Sequence, residues 1–214
     1  SDYDQWASLG NQGWSWDEVM PYFRLSEHNE RIRNALHGQD GPLWVSDPRT
    51  DKPFHERFLE AARQLGLPIT DDFNGAEQEG VGIYQLTQKH GERWSAARGY
   101  LLPHRRTRSN LTVETGALAQ RILLEDTRAV GVEILQNGST RTIRARREVL
   151  LSAGTFQSPQ LLMLSGIGDV AELQRHGIEV THHLPGVGKN LQDHPDIVLS
   201  FKNNSLDTMG VSLG

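Results

Sequence analysis

The sequence Gly154-Thr-Phe-Gln-Ser-Pro-Gln-Leu-Leu-Met-Leu-Ser-Gly-Ile-Gly168 decides the fold, together with the apolar run Glu148-Val-Leu-Leu-Ser-Ala-Gly154 that leads into it. A short apolar run that ends in small residues predicts a buried strand and a turn, and Ser158-Pro159 predicts the start of an apolar helix. Small residues let a ligand approach the backbone of the turn, and free N–H groups at a helix start favour anionic groups. The segment therefore predicts a place where a nucleotide cofactor lies.

The residues that precede this segment have the periodicity of strands. Runs of β-branched and apolar residues predict strands at 111–115, 121–125 and 129–134. Asn137-Gly138 predicts a two-residue type I′ turn, because both residues tolerate a positive φ, and residues 140–146 are predicted to return as the partner strand.

The N-terminal half has signals for helices. Ser15, with Glu18 three residues later, forms a capping box that predicts a helix from about Trp16, and Pro21 is expected to bend or divide that helix. Further elements are predicted as a short extended piece at Leu43-Trp-Val45, helices over 54–65 and 95–102, and a helix between Asp169 and Gly177.

The composition excludes several classes of protein. The net charge of -5 and the pI near 6.0 argue against a nucleic-acid partner, which would favour a basic face. The chain has no cysteine, so disulfides and thiolate metal sites are excluded. No apolar run approaches the ~20 residues that span a bilayer, so no transmembrane segment is expected. We expect a cytoplasmic location, with membrane association as the alternative.

Five blocks of sequence carry a resemblance to a known family. They are Trp14-Ser-Trp-Asp-Glu-Val-Met-Pro-Tyr-Phe23, Asp72-Phe-Asn-Gly75 with Gln78-Glu-Gly-Val-Gly82, Arg93-Trp-Ser-Ala-Ala-Arg98, Arg128-Ala-Val-Gly-Val-Glu133, and the region that runs from Gly154 to Leu184-Pro-Gly-Val-Gly-Lys-Asn-Leu-Gln-Asp-His194. In this order they resemble the glucose–methanol–choline (GMC) oxidoreductases, which are FAD-dependent alcohol dehydrogenases and oxidases. Within that family the resemblance is nearest to the choline dehydrogenases.

The resemblance implies an α/β (α+β) fold and an internal fragment of a longer flavoenzyme. The Gly-x-Gly-x-x-Gly turn that opens such enzymes does not occur here, and the catalytic histidine of the family is expected beyond Gly214. The expected regions are 1–110, a mainly helical part of the substrate-side lobe; 111–168, the antiparallel β-meander and returning strand–turn–helix of the FAD-binding domain; and 169–214, a helix and the start of the substrate domain.

The resemblance also implies which residues meet the cofactor. Ala153 and Gly154 are expected to contact the adenosine half of FAD through their backbone, and Ala119 falls where the family places a main-chain contact to the adenine. An ordinary small-residue turn is the alternative at 153–154. Ser158 is expected to cap its helix. No catalytic residue and no metal ligand is expected in this chain.

Other polar residues have simpler explanations. Asp193 next to His194 could orient an imidazole as a general base, but the family's base lies elsewhere. His182-His183 could suggest a metal, but neighbouring strand residues face opposite sides. Trp94 and Ser95 are expected either to line the flavin side or to pack in a core.

The activity that the resemblance implies is hydride transfer from a small alcohol to FAD, with choline as the first expected substrate and other primary alcohols next. Two other classes stay open: a non-catalytic binding or structural module that retains the fold, and a nicotinamide-dependent enzyme, which the missing Gly-x-Gly-x-x-Gly disfavours.

Overall fold

The structure, a computed structural model, describes residues 1–49 and 53–199. These residues belong to two compact units, Ser1–Thr112 (unit 1) and Val113–Leu199 (unit 2). The elements of unit 1 are α1 (Asp2–Ser8), α2 (Trp16–Ser26), β1 (Glu27–Asn29), β2 (Leu43–Val45), α3 (Pro53–Gln64), β3 (Gln88–Lys89), β4 (Glu92–Arg93) and a π-helical turn (Ala97–Leu101). The elements of unit 2 are β5 (Ala117–Glu125), β6 (Arg128–Gln136), β7 (Ser139–Arg144), α4 (Gly154–Leu164), β8 (Ile167–Gly168), α5 (Val170–Arg175) and β9 (His182–His183).

Helix α2 begins where the capping box predicted. The carboxylate of Glu18 accepts hydrogen bonds from the hydroxyl of Ser15 at 2.6 Å and from its N–H at 3.1 Å. The two bonds lower the pKa of the Glu18 carboxyl. Pro21 lies inside the helix, which continues to Ser26 without dividing.

The other predictions for unit 1 have mixed outcomes. Helix α3 and the extended piece that is now β2 are confirmed, and Gly66 follows the end of α3 at a φ of +72°.

The predicted helix over 95–102 is only the single π-helical turn. Gly99 lies inside that turn, and glycine weakens a regular α-helix. An added Cβ at Gly99 would lie 2.8 Å from the carbonyl oxygen of Pro42, so this close approach requires glycine.

Unit 2 contains a three-stranded antiparallel meander in the order β5-β6-β7. Gln136 pairs with Ser139, and Asn137 and Gly138 between them have φ values of +52° and +76°. The predicted two-residue turn is therefore confirmed, with the positive φ that a type I′ turn demands at both positions. Strand β7 is an outer strand, and all six of its residues are exposed.

Two strands predicted from the sequence are wrong. Residues 111–115 and 148–152 are both described, and neither forms a strand. A β-strand forms by backbone hydrogen bonds to a neighbouring strand. Among the described residues, no strand pairs with either segment. Leu150, which the sequence predicted to be buried, is 81% exposed.

Helix α4 begins four residues earlier than predicted, at Gly154 instead of Ser158. Gly154 has a φ of +88°, and Pro159 lies inside the helix. Ser158 is therefore not the cap of the helix. Its hydroxyl accepts a hydrogen bond at 3.1 Å from the N–H of Ala153, so the side chain reaches back to the residue that precedes the helix.

The C-terminal part of unit 2 follows the local signals. Asp169 caps α5 by accepting a hydrogen bond at 3.0 Å from the N–H of Glu172, and Gly177 follows that helix at a φ of +68°. Strands β8 and β9 form a short parallel pair. The buried apolar side chains of unit 2 are Ile122, Ile134, Leu161 and Leu173.

The mixed α/β (α+β) class expected from the sequence is confirmed. Within residues 1–49 and 53–199, none of the helices has the length and hydropathy that crossing a membrane requires. The end of the third expected region, residues 200–214, lies outside the described residues.

Candidate cofactor-binding site

The predicted turn at Ala153-Gly154 is an open stretch of backbone at the start of α4. Both residues are exposed. A Cβ added at Gly154 would meet nothing within 4 Å. The N–H groups of a helix's first turn have no partner inside the helix, so they are available to a ligand. The N–H of Ala153 is occupied by the hydroxyl of Ser158, so the donors that the turn offers to a ligand beside the open space at Gly154 are those of the first turn of α4.

Ala119 lies on β5, at an irregular point of that strand. Ala119 pairs with Ile134 of β6. The register then shifts between Ala119 and Arg121, so Gln120 has no opposite residue in the β5–β6 ladder. Such a bulge disturbs the ladder and changes the direction of the strand. Ala119 is exposed, so its main chain lies at an accessible part of the meander.

A buried serine connects β5 with α4. The hydroxyl of Ser165, just after α4, accepts a hydrogen bond at 2.8 Å from the N–H of Ile122 and donates one at 2.6 Å to the carbonyl of Leu161. The strand that contains Ala119 and the helix that begins at Gly154 are thereby held together. The sequence pattern does not reveal this role of Ser165, because the partners Ile122 and Ser165 are 43 residues apart.

The structure brings together the two parts of the segment from Gly154 to His194. The N–H of Leu184 donates to the carbonyl of Gly168 at 2.9 Å. A Cβ added at Gly188 would lie 3.4 Å from the Sδ of Met163 in α4. The second part of the segment therefore packs against the C-terminal part of α4 and the strand that follows it.

The remaining polar candidates, Asp193 with His194 and His182 with His183, are all exposed. Asp193 accepts a hydrogen bond at 2.8 Å from the backbone N–H of His194, a contact that does not involve the imidazole ring. His182 and His183 are both exposed on β9. Across the described ranges, no group of three or more histidine, aspartate or glutamate side chains could hold a metal ion.

Trp94 is half-buried in unit 1 and serves as a structural contact. Its Nε1 donates a hydrogen bond at 2.8 Å to the carbonyl of Pro42, and the ammonium of Lys89 lies 5.1 Å from its ring centre. Ser95 accepts a hydrogen bond at 3.4 Å from the N–H of Arg98. These contacts favour the core interpretation of the two residues.

Comparisons with known proteins agree with this fold. A model of the GMC oxidoreductase family matches residues 1–196, so the chain belongs to the GMC oxidoreductase family. It is 48% identical over 198 residues to the mitochondrial choline dehydrogenase of Homo sapiens. That match covers 92% of this chain and 33% of that protein. It is 45% identical over 214 residues to an alcohol dehydrogenase [acceptor] of Pseudomonas putida, covering 99% of this chain and 39% of that protein.

Solved structures show the same architecture. Pyridoxine 4-oxidase from Mesorbium loti superposes with a TM-score of 0.81 at 35% identity, covering 90% of this chain and 38% of that protein. An FAD-dependent oxidoreductase from Chaetomium thermophilum superposes with a TM-score of 0.82 at 32% identity, covering 90% of this chain and 36% of that protein. The chain spans about a third of the length of the curated relatives that it matches first.

Proposed function

We propose that this chain supplies part of the FAD adenosine site of an alcohol oxidoreductase that transfers hydride from a primary alcohol to the flavin. The observation that carries the proposal is the open backbone turn at Ala153-Gly154, next to a helix start. The family match and the FAD-dependent structural relative support the choice of cofactor. Choline is the first substrate to test, because choline dehydrogenases are among the relatives with 45–48% identity.

The residues of this chain have binding and positioning roles in the proposal. The backbone of Ala153 and Gly154 holds the adenosine half of FAD, and the main chain of Ala119 contacts the adenine. Ser165 keeps the C-terminal end of α4 against β5. Bound FAD would supply the acceptor for the hydride of the alcohol's carbinol carbon. In the proposal, none of residues 1–49 and 53–199 is the base that takes the substrate's hydroxyl proton.

The regions of the chain have matching roles in the proposal. Residues 111–168 belong to the FAD-binding domain, residues 1–110 form part of the substrate-side lobe, and residues 169–214 begin the substrate domain. The alcohol is the small-molecule partner.

The test uses the full-length protein that carries this chain, with Gly154→Val and Gly177→Val as a matched pair. Both glycines have a positive φ, +88° and +68°, and an added Cβ has open space at both, so the backbone cost of the two changes is similar. Only Gly154 lies at the proposed cofactor turn. We expect the purified Gly154→Val protein to contain severalfold less flavin per protein than the Gly177→Val protein.

The same preparations are assayed for dye reduction with choline and with other primary alcohols. Turnover with at least one of them, dependent on bound flavin, supports the proposed reaction. Equal flavin content in the two variants would remove Gly154 from the cofactor site. A flavin-free wild-type protein that oxidises no alcohol would favour the non-catalytic alternative.

A further inference from the structure

His37 in unit 1 is a buried histidine that has an acid on each side of its ring. The residue is 4% exposed. Its Nδ1 lies 2.9 Å from Oε1 of Glu27, ten residues earlier, and its Nε2 lies 3.0 Å from Oδ2 of Asp72, 35 residues later. Glu27 begins β1 directly after α2, whereas Asp72 belongs to the loop that follows α3. The ring therefore bridges two parts of the chain that are distant in sequence.

This arrangement suits an imidazolium. A neutral imidazole has one N–H and can donate to one of the two acids, whereas the protonated ring donates to both. Glu27 also accepts hydrogen bonds from the N–H of Gly38 at 2.8 Å and the amide of Asn29 at 3.0 Å, as expected for a carboxylate. Oδ1 of Asp72 accepts one from the N–H of Asn74 at 3.0 Å. Both acids therefore have the hydrogen bonds of ionised groups.

Burial and charge act on the ring in opposite directions. Burial has the largest single effect and lowers the pKa of His37, but the hydrogen bonds and charges of Glu27 and Asp72 together outweigh it. The pKa of His37 is therefore raised above its ordinary value of 6.5. The two acids are the charged groups in direct contact with the ring, from β1 and from the loop respectively.

A further charged group, Asp47, is connected to the ring through the side-chain amides of Asn29 and Gln85. Asn29 donates to Gln85 at 2.8 Å, and Gln85 donates to Asp47 at 3.0 Å. Asp47 is itself paired with Arg31 at 2.7 Å, so its charge is compensated. Among the charged groups around His37, Glu27 and Asp72 therefore have the main effect on its protonation.

The bridge lies beside a cavity of about 450 Å³ that His37 and Glu27 help to line. Trp16, Met20 and Phe23 of α2 line it as well, and so do Asn74 and Gln78 of the loop that contains Asp72. We propose that protonated His37 is a pH-sensitive clamp, which holds the loop at 72–78 against the end of α2 beside this cavity.

The direction of the pH dependence follows from the raised pKa. The clamp is fully formed below the ordinary pKa of the imidazole, and it is lost as the pH rises through the higher pKa of the folded protein. Deprotonation removes the positive charge that the two carboxylates share, so the attraction between the ring and Asp72 weakens and the loop is held less tightly.

The test is hydrogen–deuterium exchange with mass spectrometry on the full-length protein that carries this chain. Peptides that contain residues 72–75 are compared at about pH 6 and about pH 8, with labelling times corrected for the intrinsic exchange rate. We expect the protection of this loop to fall severalfold from the lower to the higher pH. In His37→Gln, protection should be low and equal at both values.

His104→Gln is the matched control, because His104 is an exposed histidine of the same unit. It should keep the wild-type pH dependence. Asp72→Asn retains the ring and Glu27 and should reduce the pH dependence, which serves as the test if His37→Gln does not fold. Equal protection of the wild-type loop at both pH values would overturn the proposal, and so would an unchanged pH dependence in either variant that folds.

Discussion

At the scale of single residues, Gly154 shows how much the start of α4 depends on backbone conformation. The space beyond its Cα is open, so an added methyl group meets no steric obstacle. Its φ of +88°, however, lies in the left-handed region that other residues adopt at a cost. The glycine is therefore required by its dihedral angle, and the open space stays available to a ligand.

We predict that Gly154→Ala lowers the free energy of unfolding by about 1–2 kcal/mol, the cost of a left-handed conformation for a residue with a Cβ. Gly186→Ala is the control, because an added Cβ also has open space there and Gly186 has no positive φ. Urea unfolding monitored by circular dichroism measures both variants. Equal losses in the two would show that the dihedral angle at Gly154 is not the cause.

Ser165 is a second single residue on which the stability of unit 2 depends, because its hydroxyl joins β5 to α4. We predict that Ser165→Ala lowers the free energy of unfolding by about 1–3 kcal/mol, because the N–H of Ile122 then stays buried without an acceptor. Ser139→Ala changes an exposed serine of β7 and should have little effect. The comparison uses the same unfolding measurement, and a neutral Ser165→Ala would mean that the N–H of Ile122 finds another acceptor.

At the scale of elements, one carboxylate connects the first two helices. Asp4 of α1 accepts a hydrogen bond at 2.9 Å from the N–H of Trp16, the first residue of α2. This bond, with further contributions from Ser1, lowers the pKa of Asp4 from 3.8 to about 2. Because the folded pKa is lower than the unfolded one, the stabilisation is present above the unfolded pKa and is lost as the pH falls towards the folded pKa.

We therefore predict that Asp4→Asn flattens the dependence of stability on pH between about pH 4 and about pH 2. Asp2→Asn, a change of an exposed aspartate in the same helix, should leave that dependence as in the wild type. Tryptophan fluorescence during urea unfolding at a series of pH values gives the curves. The same curve for Asp4→Asn and the wild type would exclude the Asp4–Trp16 bond as the source.

The elements that the sequence predicted correctly are those with local signals. Ser15 with Glu18 predicted the start of α2, and Asn137-Gly138 predicted the hairpin, because in each case the interacting groups are within three residues of each other. Residues 148–152 were predicted as a strand from their composition alone, but a strand needs a partner that the sequence pattern does not reveal. Ser158-Pro159 has the composition of a helix start, while the actual start depends on the left-handed φ of Gly154.

The candidate site was predictable only in part for the same reason. The small residues Ala153 and Gly154 identified an open turn, and the structure shows that turn to be exposed. The connection through Ser165 and the bridge at His37 join residues that are 43 and 35 residues apart, and nothing near either residue indicates the partner.

At the scale of the whole molecule, the proposed cofactor site is open on the side that a ligand would use. Leu150, just before the turn, and Phe156, in the first turn of α4, are 81% and 75% exposed. A small-molecule pocket normally buries most of its ligand, and these apolar side chains lie uncovered in this chain. The relatives that it matches are about three times as long.

We predict that these 214 residues, expressed alone, neither retain FAD through purification nor oxidise alcohols. Hydride transfer requires the donor carbon and the flavin to be held at near-attack distance, and the exposed turn at Ala153-Gly154 does not enclose either of them. The absorption spectrum of the purified chain and choline-dependent dye reduction against a no-protein control give the two measurements. A yellow preparation, or turnover above the control, would contradict the prediction.

The outer strand β7 has a consequence for how copies of this chain behave at high concentration. An exposed edge presents unpaired N–H and C=O groups on which a strand from another molecule could add, which is how sheets grow into fibrils. Arg141 and Arg144 lie on this strand and pair with Glu114 at 3.2 Å and Glu125 at 3.0 Å. A strand that docked there would have to strip water from two charged pairs, so β7 resists templated growth while it remains exposed.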